Sequence, residues 1–172
     1  MQSDLDALGE IVRTYCRKNE FGRARSTCES YLSRATDDAE RATILQRLAY
    51  IENAAGDLSG SITLLMRARN FDPRSRAALD ALIIAFIASR NFVEAVDSCI
   101  SLIDLDKEFA YQSFTSSAYF HLAYCNLHLG KLENAKLALE KSDYTEPIWI
   151  DNKLLSKQEL LELIEINRAS DS

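Results

Sequence analysis

The chain has 172 residues, a net charge of −6, 47% hydrophobic residues, and only 5 Gly and 2 Pro. That length suits one domain or one short repeat array, the apolar share excludes a disordered chain, and the shortage of turn formers argues against a many-stranded β fold. An acidic surplus repels phosphate backbones, which argues against nucleic acid as a ligand, and no apolar run approaches a membrane span.

The start, "MQSDLDALGE", lacks the basic and apolar regions of a signal peptide, so a cytosolic protein is expected. Cys16, Cys28, Cys99 and Cys125 form no close pair. In a reducing compartment they read as reduced, small, buried apolar residues. Residues 1–74 carry equal numbers of acidic and basic side chains, so the whole negative excess lies in the remainder of the chain.

The first predicted hairpin is "LGEIVRTYCRKNEFGRARSTCESYL" (Leu8–Leu32), with Ile11, Tyr15, Phe21 and Ala24 as its apolar marks. The second, "LQRLAYIENAAGDLSGSITLLMRARNFDP" (Leu45–Pro73), repeats the layout with Leu48, Ala49, Gly56, Leu58 and Ser61. The third, "LDALIIAFIASRNFVEAVDSCISLIDLD" (Leu79–Asp106), places Leu82, Phe86, Phe92 and Ala95 at the same offsets, and Asn91 with Glu94 reads as a capping box. The fourth, "HLAYCNLHLGKLENAKLALEKSDYTEP" (His121–Pro147), aligns Leu122, Ala123, Gly130, Leu132 and Ala135 with the second. Ala24, Ser61, Ala95 and Ala135 therefore recur as one register mark. Small residues there, facing Ala49 or Ala123, let two helix backbones approach closely. Leu, Phe and Ile at i, i+3, i+4 and i+7 fill the space between hairpins.

The longest step between marks inserts about six residues at "KEFAYQSFTSS", around Phe109–Phe114, read as a lengthened helix or loop. After Pro147, Trp149 between Ile148 and Ile150 is expected to pack on the last hairpin. Ser156 and Glu159 form a second capping-box signal. Leu160, Leu161 and Ile164 then make one apolar stripe. A helix over about 156–168 is expected to close the array, because a terminal hairpin exposes apolar surface.

This pattern resembles the tetratricopeptide repeat (TPR): paired helices, small residues at the helix crossing, an aromatic opening the second helix and Pro near the end. The resemblance implies an all-α, right-handed superhelical array of about four hairpins, at about 4–37, 41–74, 75–108 and 114–147, plus a C-terminal capping helix, as a single domain over 1–172. Val12 and Ile83 are larger than the residue usual at the crossing, Glu52 stands where an aromatic is usual, Cys28 and Cys99 fill another aromatic site, and Lys107 replaces the closing Pro.

The resemblance also assigns the partner-binding face. Its groove positions, carried over one by one, fall on Arg13 and Arg17, on Gln46, Tyr50 and Asn53, on Asp80, Ile84 and Ile87, and on Phe120, Tyr124 and His128. Such a surface runs from basic through polar to apolar and suits a protein or peptide segment with an acidic and an apolar end. The family's basic clamp for a C-terminal carboxylate is not carried over, since Gly9 and Arg13 stand where it needs Lys and Asn.

Chemistry has little support in the sequence. There is no Gly-rich phosphate loop, nucleophile elbow or His-Glu-x-x-His. His121, Cys125 and His128 share one helical face, but a zinc site needs further ligands, so no metal is expected: Cys125 should pack on a neighbouring helix and the histidines line a surface. The expectation is a non-catalytic adaptor or chaperone-like binding module without cofactor. A dedicated inhibitor, such as a bacterial immunity protein or secretion chaperone, and a self-assembling subunit, such as a homodimer, are the alternatives.

Overall fold

A computed structural model describes the backbone over residues 2–150 and 153–170, and side chains over 4–150 and 153–169. Among the described residues there are nine helices and one β-hairpin. Four helical hairpins are followed by the hairpin and a last helix, the all-α repeat order expected. The chain divides into two compact units, Met1–Ala78 and Leu79–Ser172.

The first unit holds α1 (Gln2–Arg17), α2 (Phe21–Leu32), α3 (Asp38–Ala54) and α4 (Leu58–Phe71). Leu8, Val12, Ala24, Cys28, Ile44, Leu45, Leu48 and Ile51 form its core. Asp37 caps α3 by accepting from the Glu40 amide at 2.8 Å, and the Glu40 carboxylate accepts in return from the Thr36 amide. Asp57 caps α4 through the Gly60 amide at 2.9 Å. Each cap satisfies a first-turn N–H that has no partner inside its helix. Arg25 on α2 grips Glu52 on α3 with two parallel bonds of 2.7 and 2.8 Å. The position where the repeat expects an aromatic is thus filled by a forked ion pair.

The second unit follows from α5 (Arg76–Ala88), which begins at the boundary, through α6 (Phe92–Asp106), α7 (Thr115–His128), α8 (Leu132–Glu140) and α9 (Lys157–Ser170). Its core joins Leu79, Ile83, Cys99, Leu102, Phe120, Cys125, Leu139, Leu160 and Ile164. Each fully buried Leu or Ile contributes about 1.5–3 kcal/mol. Leu160 and Ile164 place α9 in this core, as the stripe predicts, and Leu161 is half-buried. The Ser156 amide donates to the Glu159 carboxylate at 2.8 Å, and the Glu159 amide donates to the Ser156 hydroxyl at 3.2 Å, closing the capping box. Asn91, by contrast, makes no side-chain cap, a departure from expectation.

The four hairpin turns are one structure made four times. Asn19, Gly56, Arg90 and Gly130 take φ of 58°, 87°, 62° and 70°. The next residue's amide then reaches back to the carbonyl five positions earlier, in bonds from Glu20 to Tyr15, Asp57 to Glu52, Asn91 to Phe86 and Lys131 to Asn126. This left-handed cap ends the first helix and aims the chain into the second. Soon after each reversal comes the register mark. Ala24, Ala95 and Ala135 are wholly buried and Ser61 is 2% exposed. Val12 and Ile83, larger than the crossing usually takes, are wholly buried as well.

The insertion is a loop, residues 107–114, and it is stapled rather than loose. Asp106, wholly buried at the end of α6, accepts with one oxygen from the Phe114 amide (3.0 Å), the Thr115 amide (2.8 Å) and the Thr115 hydroxyl (2.8 Å). A carboxylate from one helix thereby caps the next.

Between α8 and α9 lie β1 (Ile148–Ile150) and β2 (Lys153–Leu155), paired antiparallel with Ile148 opposite Leu155 and Trp149 opposite Leu154. Alternation sends Ile150 and Leu155 into the core and Trp149 and Leu154 outward, 64% and 58% exposed. Trp149 therefore does not pack on the last hairpin as expected. A strand places its successive side chains on opposite faces, and the burial of Ile150 turns its neighbour out.

Candidate functional site

In the first unit, α1 and α3 bring part of the expected face together. Arg13 is half-buried and paired with Glu10 one turn earlier; Arg17 is exposed. Glu10 sits within the fields of Arg13, Arg17 and Arg47, and the Arg13 guanidinium holds its carboxyl below the usual range. Tyr50 on α3 is 46% exposed and lies within electrostatic reach of Arg13. Asn53 is exposed one turn on, and Gln46 donates to the Ser75 hydroxyl at 3.3 Å. Arg47 lies across Gly9, where an added Cβ would stand 3.3 Å from its guanidinium carbon. The result is an exposed phenol within reach of Arg13, on a face where Arg13, Arg17 and Arg47 surround the Glu10 carboxylate.

In the second unit the expected residues separate. Ile84 on α5 is 43% exposed, and Asp80 one turn earlier is half-buried, with burial pushing its carboxyl up to about 6. Ile87 (2% exposed), Phe120 (wholly buried) and Tyr124 (2% exposed) are core residues and offer no surface for a partner. The physical reason for Phe120 and Tyr124 is the position of α7, which packs against α6, α8 and α9 and has almost no wet face left. His128, at its end, is exposed; its ring stacks on Phe92 with centroids 4.6 Å apart and planes 4° from parallel, and Tyr124 meets it edge-on at 4.5 Å.

His121, Cys125 and His128 do not converge. His121 and Cys125 face the core, whereas His128 is exposed. Burial lowers the His121 pKa to about 4 and raises the Cys125 thiol to about 12. The histidines thus do not line one surface together: His121 is 4% exposed, and its Nδ1 has no hydrogen-bond partner. Among the described residues no three His, Cys, Asp or Glu side chains form a group that could hold a metal ion. All four cysteines are buried free thiols.

Sequence reasoning missed Asp106, the Arg25–Glu52 fork and the β-hairpin. The hairpin had a signal: "IWIDNKLL" carries two short β-branched or apolar runs around an Asp-Asn pair. Asp106 had none, because a loop-spanning cap cannot be told from any other helix-end acid.

No helix among the described residues is long and apolar enough to cross a membrane. No protein-family model matches the chain, and no curated protein is similar to it. Solved structures do match along the whole length. A Podosopora anserina protein described as a putative kinesin light chain with nearly identical TPR-like repeats aligns at TM-score 0.67 and 17% identity, covering 100% of this chain and 98% of its own. A singly substituted variant of that protein aligns at TM-score 0.68 and 18% identity, covering 98% of this chain and 96% of its own. MamA of MSR-1 aligns at TM-score 0.59 and 11% identity, covering 98% and 99%. With the recurring turn, the buried register mark and these neighbours, the fold of this chain is that of the TPR-like helical-repeat proteins.

Proposed function

We propose that the chain is a non-catalytic binding module, an adaptor or chaperone-like protein of the cytoplasm, that holds a protein or peptide segment on the exposed face of its first helices. The observation that carries this reading is Tyr50, 46% exposed on α3, with Arg13 beside it and Arg17 on the same helix as Arg13. A phenol with Arg13 beside it and the exposed Arg17 on the same helix as Arg13 suits a segment that offers an apolar side chain next to a carboxylate. The phenol carries affinity, and the arginines contribute orientation and on-rate.

The test is affinity measurement on a partner captured by pull-down and identified by mass spectrometry. Tyr50→Ala should cost about 2 kcal/mol or more of binding if Tyr50 is a hot spot. Arg17→Ala should cost less, with an effect that shrinks as salt rises. Unchanged affinity in both variants overturns the assignment of the face.

A second reading has its own support. Trp149 and Leu154 form an exposed apolar pair on the hairpin, which suits self-association. Light scattering on Trp149→Ser and the parent decides it: a parent monomer excludes the self-assembling subunit.

A further inference from the structure

A different surface of the second unit is apolar, with a lysine at each end of α8 and the exposed acids Glu94 and Asp97 beyond it on α6. On α6, Val93, Val96 and Ile100 lie at i, i+3 and i+7, with Val93 57% and Ile100 47% exposed. On α8, Leu137 is 55% exposed. Leu122 of α7 helps line the groove that Val96, Ile100 and Leu137 also border, a cavity of about 260 Å³. Among the described residues that line it, none is acidic and two are lysines, Lys131 and Lys141. They stand just before and just after α8, ten residues apart, or about 15 Å along the helix axis. The Lys141 ammonium rests 5.6 Å from the Tyr119 ring centroid, which orients it at the groove's edge. All of this occurs in the part of the chain that carries its whole acidic excess.

We infer that the groove bordered by α6 and α8, with Leu122 of α7 in its lining, is a docking site for an acidic amphipathic helix of a partner protein. Charge selects the occupant. An apolar stripe matching Val96, Ile100 and Leu137 removes water from the groove, and carboxylates flanking the stripe reach Lys131 and Lys141. A basic helix meets two like charges at the ends of α8, inside the groove's own lining, and is disfavoured there. A second copy of this chain is disfavoured on the same ground only where it presents lysines, so self-association is kept as an outcome of the test. The inference deepens the protein-binding reading, yet uses none of the residues on which that reading rests.

The experiment pans a displayed library of random peptides against the full chain. Peptides of about 15 residues span about 22 Å as helices, enough to reach both lysines. Binders are then measured by fluorescence anisotropy on the parent, on Leu137→Glu, and on Lys131→Glu with Lys141→Glu. The expected result is enrichment of segments with Asp or Glu flanking apolar residues at i, i+3 and i+7, and an affinity loss of about tenfold or more in both variants. Tyr50→Ala should leave these peptides bound as tightly as before. Leu137 and both lysines are exposed, and equal melting curves check that the variants fold. Enrichment of basic or uncharged peptides, failure to enrich any, or affinity unmoved by both variants overturns the inference. So does a parent dimer that Leu137→Glu dissolves, since the occupant is then a second copy. Peptides lost on Tyr50→Ala but kept in Leu137→Glu support the first-helix face and sink this one.

Discussion

Removing the Asp106 side chain is the sharpest test of how the second unit holds its inserted loop. In Asp106→Ala, the Phe114 and Thr115 amides and the Thr115 hydroxyl lose the oxygen they share at 2.8–3.0 Å. The residue is wholly buried, so water does not replace that acceptor without reorganising the loop. An orphaned donor costs about 1–3 kcal/mol, and the hydroxyl can rotate towards another acceptor, so the two amides set the scale at about 3–4 kcal/mol. For a chain of this size, each kcal/mol moves the melting temperature by about 2–4 °C, which gives a fall of roughly 10 °C. Asp106→Asn keeps one acceptor oxygen and should lose about a third of that. Far-ultraviolet circular dichroism gives the melting curves, and limited trypsinolysis at Lys107 reports on the loop. A fall of less than about 2 °C in the Ala variant would mean that the loop is held by other contacts, and the staple argument would fail.

Two further predictions concern turns and protons. Gly130 has φ of 70° with nothing within 4 Å of an added Cβ, so Gly130→Ala should cost about 1–2 kcal/mol from backbone strain alone, while Asn19→Gly, at the matching turn, should cost nothing or stabilise; equal costs measured by denaturant unfolding would refute the shared-turn reading. Burial lowers the pKa of His121 from 6.5 to about 4, so the unfolded state binds its proton first; that stability is complete above pH 6.5 and is lost as pH falls to 4, by about 3 kcal/mol. Asp80 runs the other way: its folded pKa is raised to about 6, so its contribution grows as pH falls from 6 to 3.8 and offsets part of the His121 loss. His121→Leu should therefore gain stability relative to the parent between pH 7 and 4, and a parent-to-variant difference that stays constant with pH would contradict the buried neutral imidazole.

The parts of the fold that were legible in the sequence share a physical cause: they repeat, or they are dictated by local bonding. Ala24, Ser61, Ala95 and Ala135 recur because each sits where two helix backbones meet, and size alone selects the residue. Ser156 and Glu159 were readable because a capping box closes within one turn. Asn91 and Glu94 carried the same pattern, yet Asn91 makes no side-chain cap. Its amide is already used by the left-handed turn, donating to the Phe86 carbonyl at 2.8 Å. A box needs that amide free for its Glu, so the left-handed turn removes the Glu94 half of the motif, whereas the side-chain half still forms at the matching Asp57.

The candidate site was legible only in part, for a reason of geometry. Transferring groove positions assumes that every first helix keeps one wet face. α1 and α3 do, and Arg17, Tyr50 and Asn53 are exposed. α7 does not, since three helices of its unit lie against it and Phe120 and Tyr124 belong to the core. Besides Ile84 on α5, exposed apolar side chains of that unit stand on α6, α8, α9, the inserted loop and the hairpin, among them Val93, Ile100, Leu137, Trp149 and Leu154. A stripe of this kind is invisible to a repeat pattern, because that pattern is made by the residues that face inward. Burial selects for size and apolarity at fixed spacing, whereas exposed positions are held to no spacing at all. An exposed Val, Ile or Leu there costs nothing to fold stability and gains nothing from it. Where such residues line one groove between two lysines, the pattern asks for an explanation outside the fold, and binding supplies one.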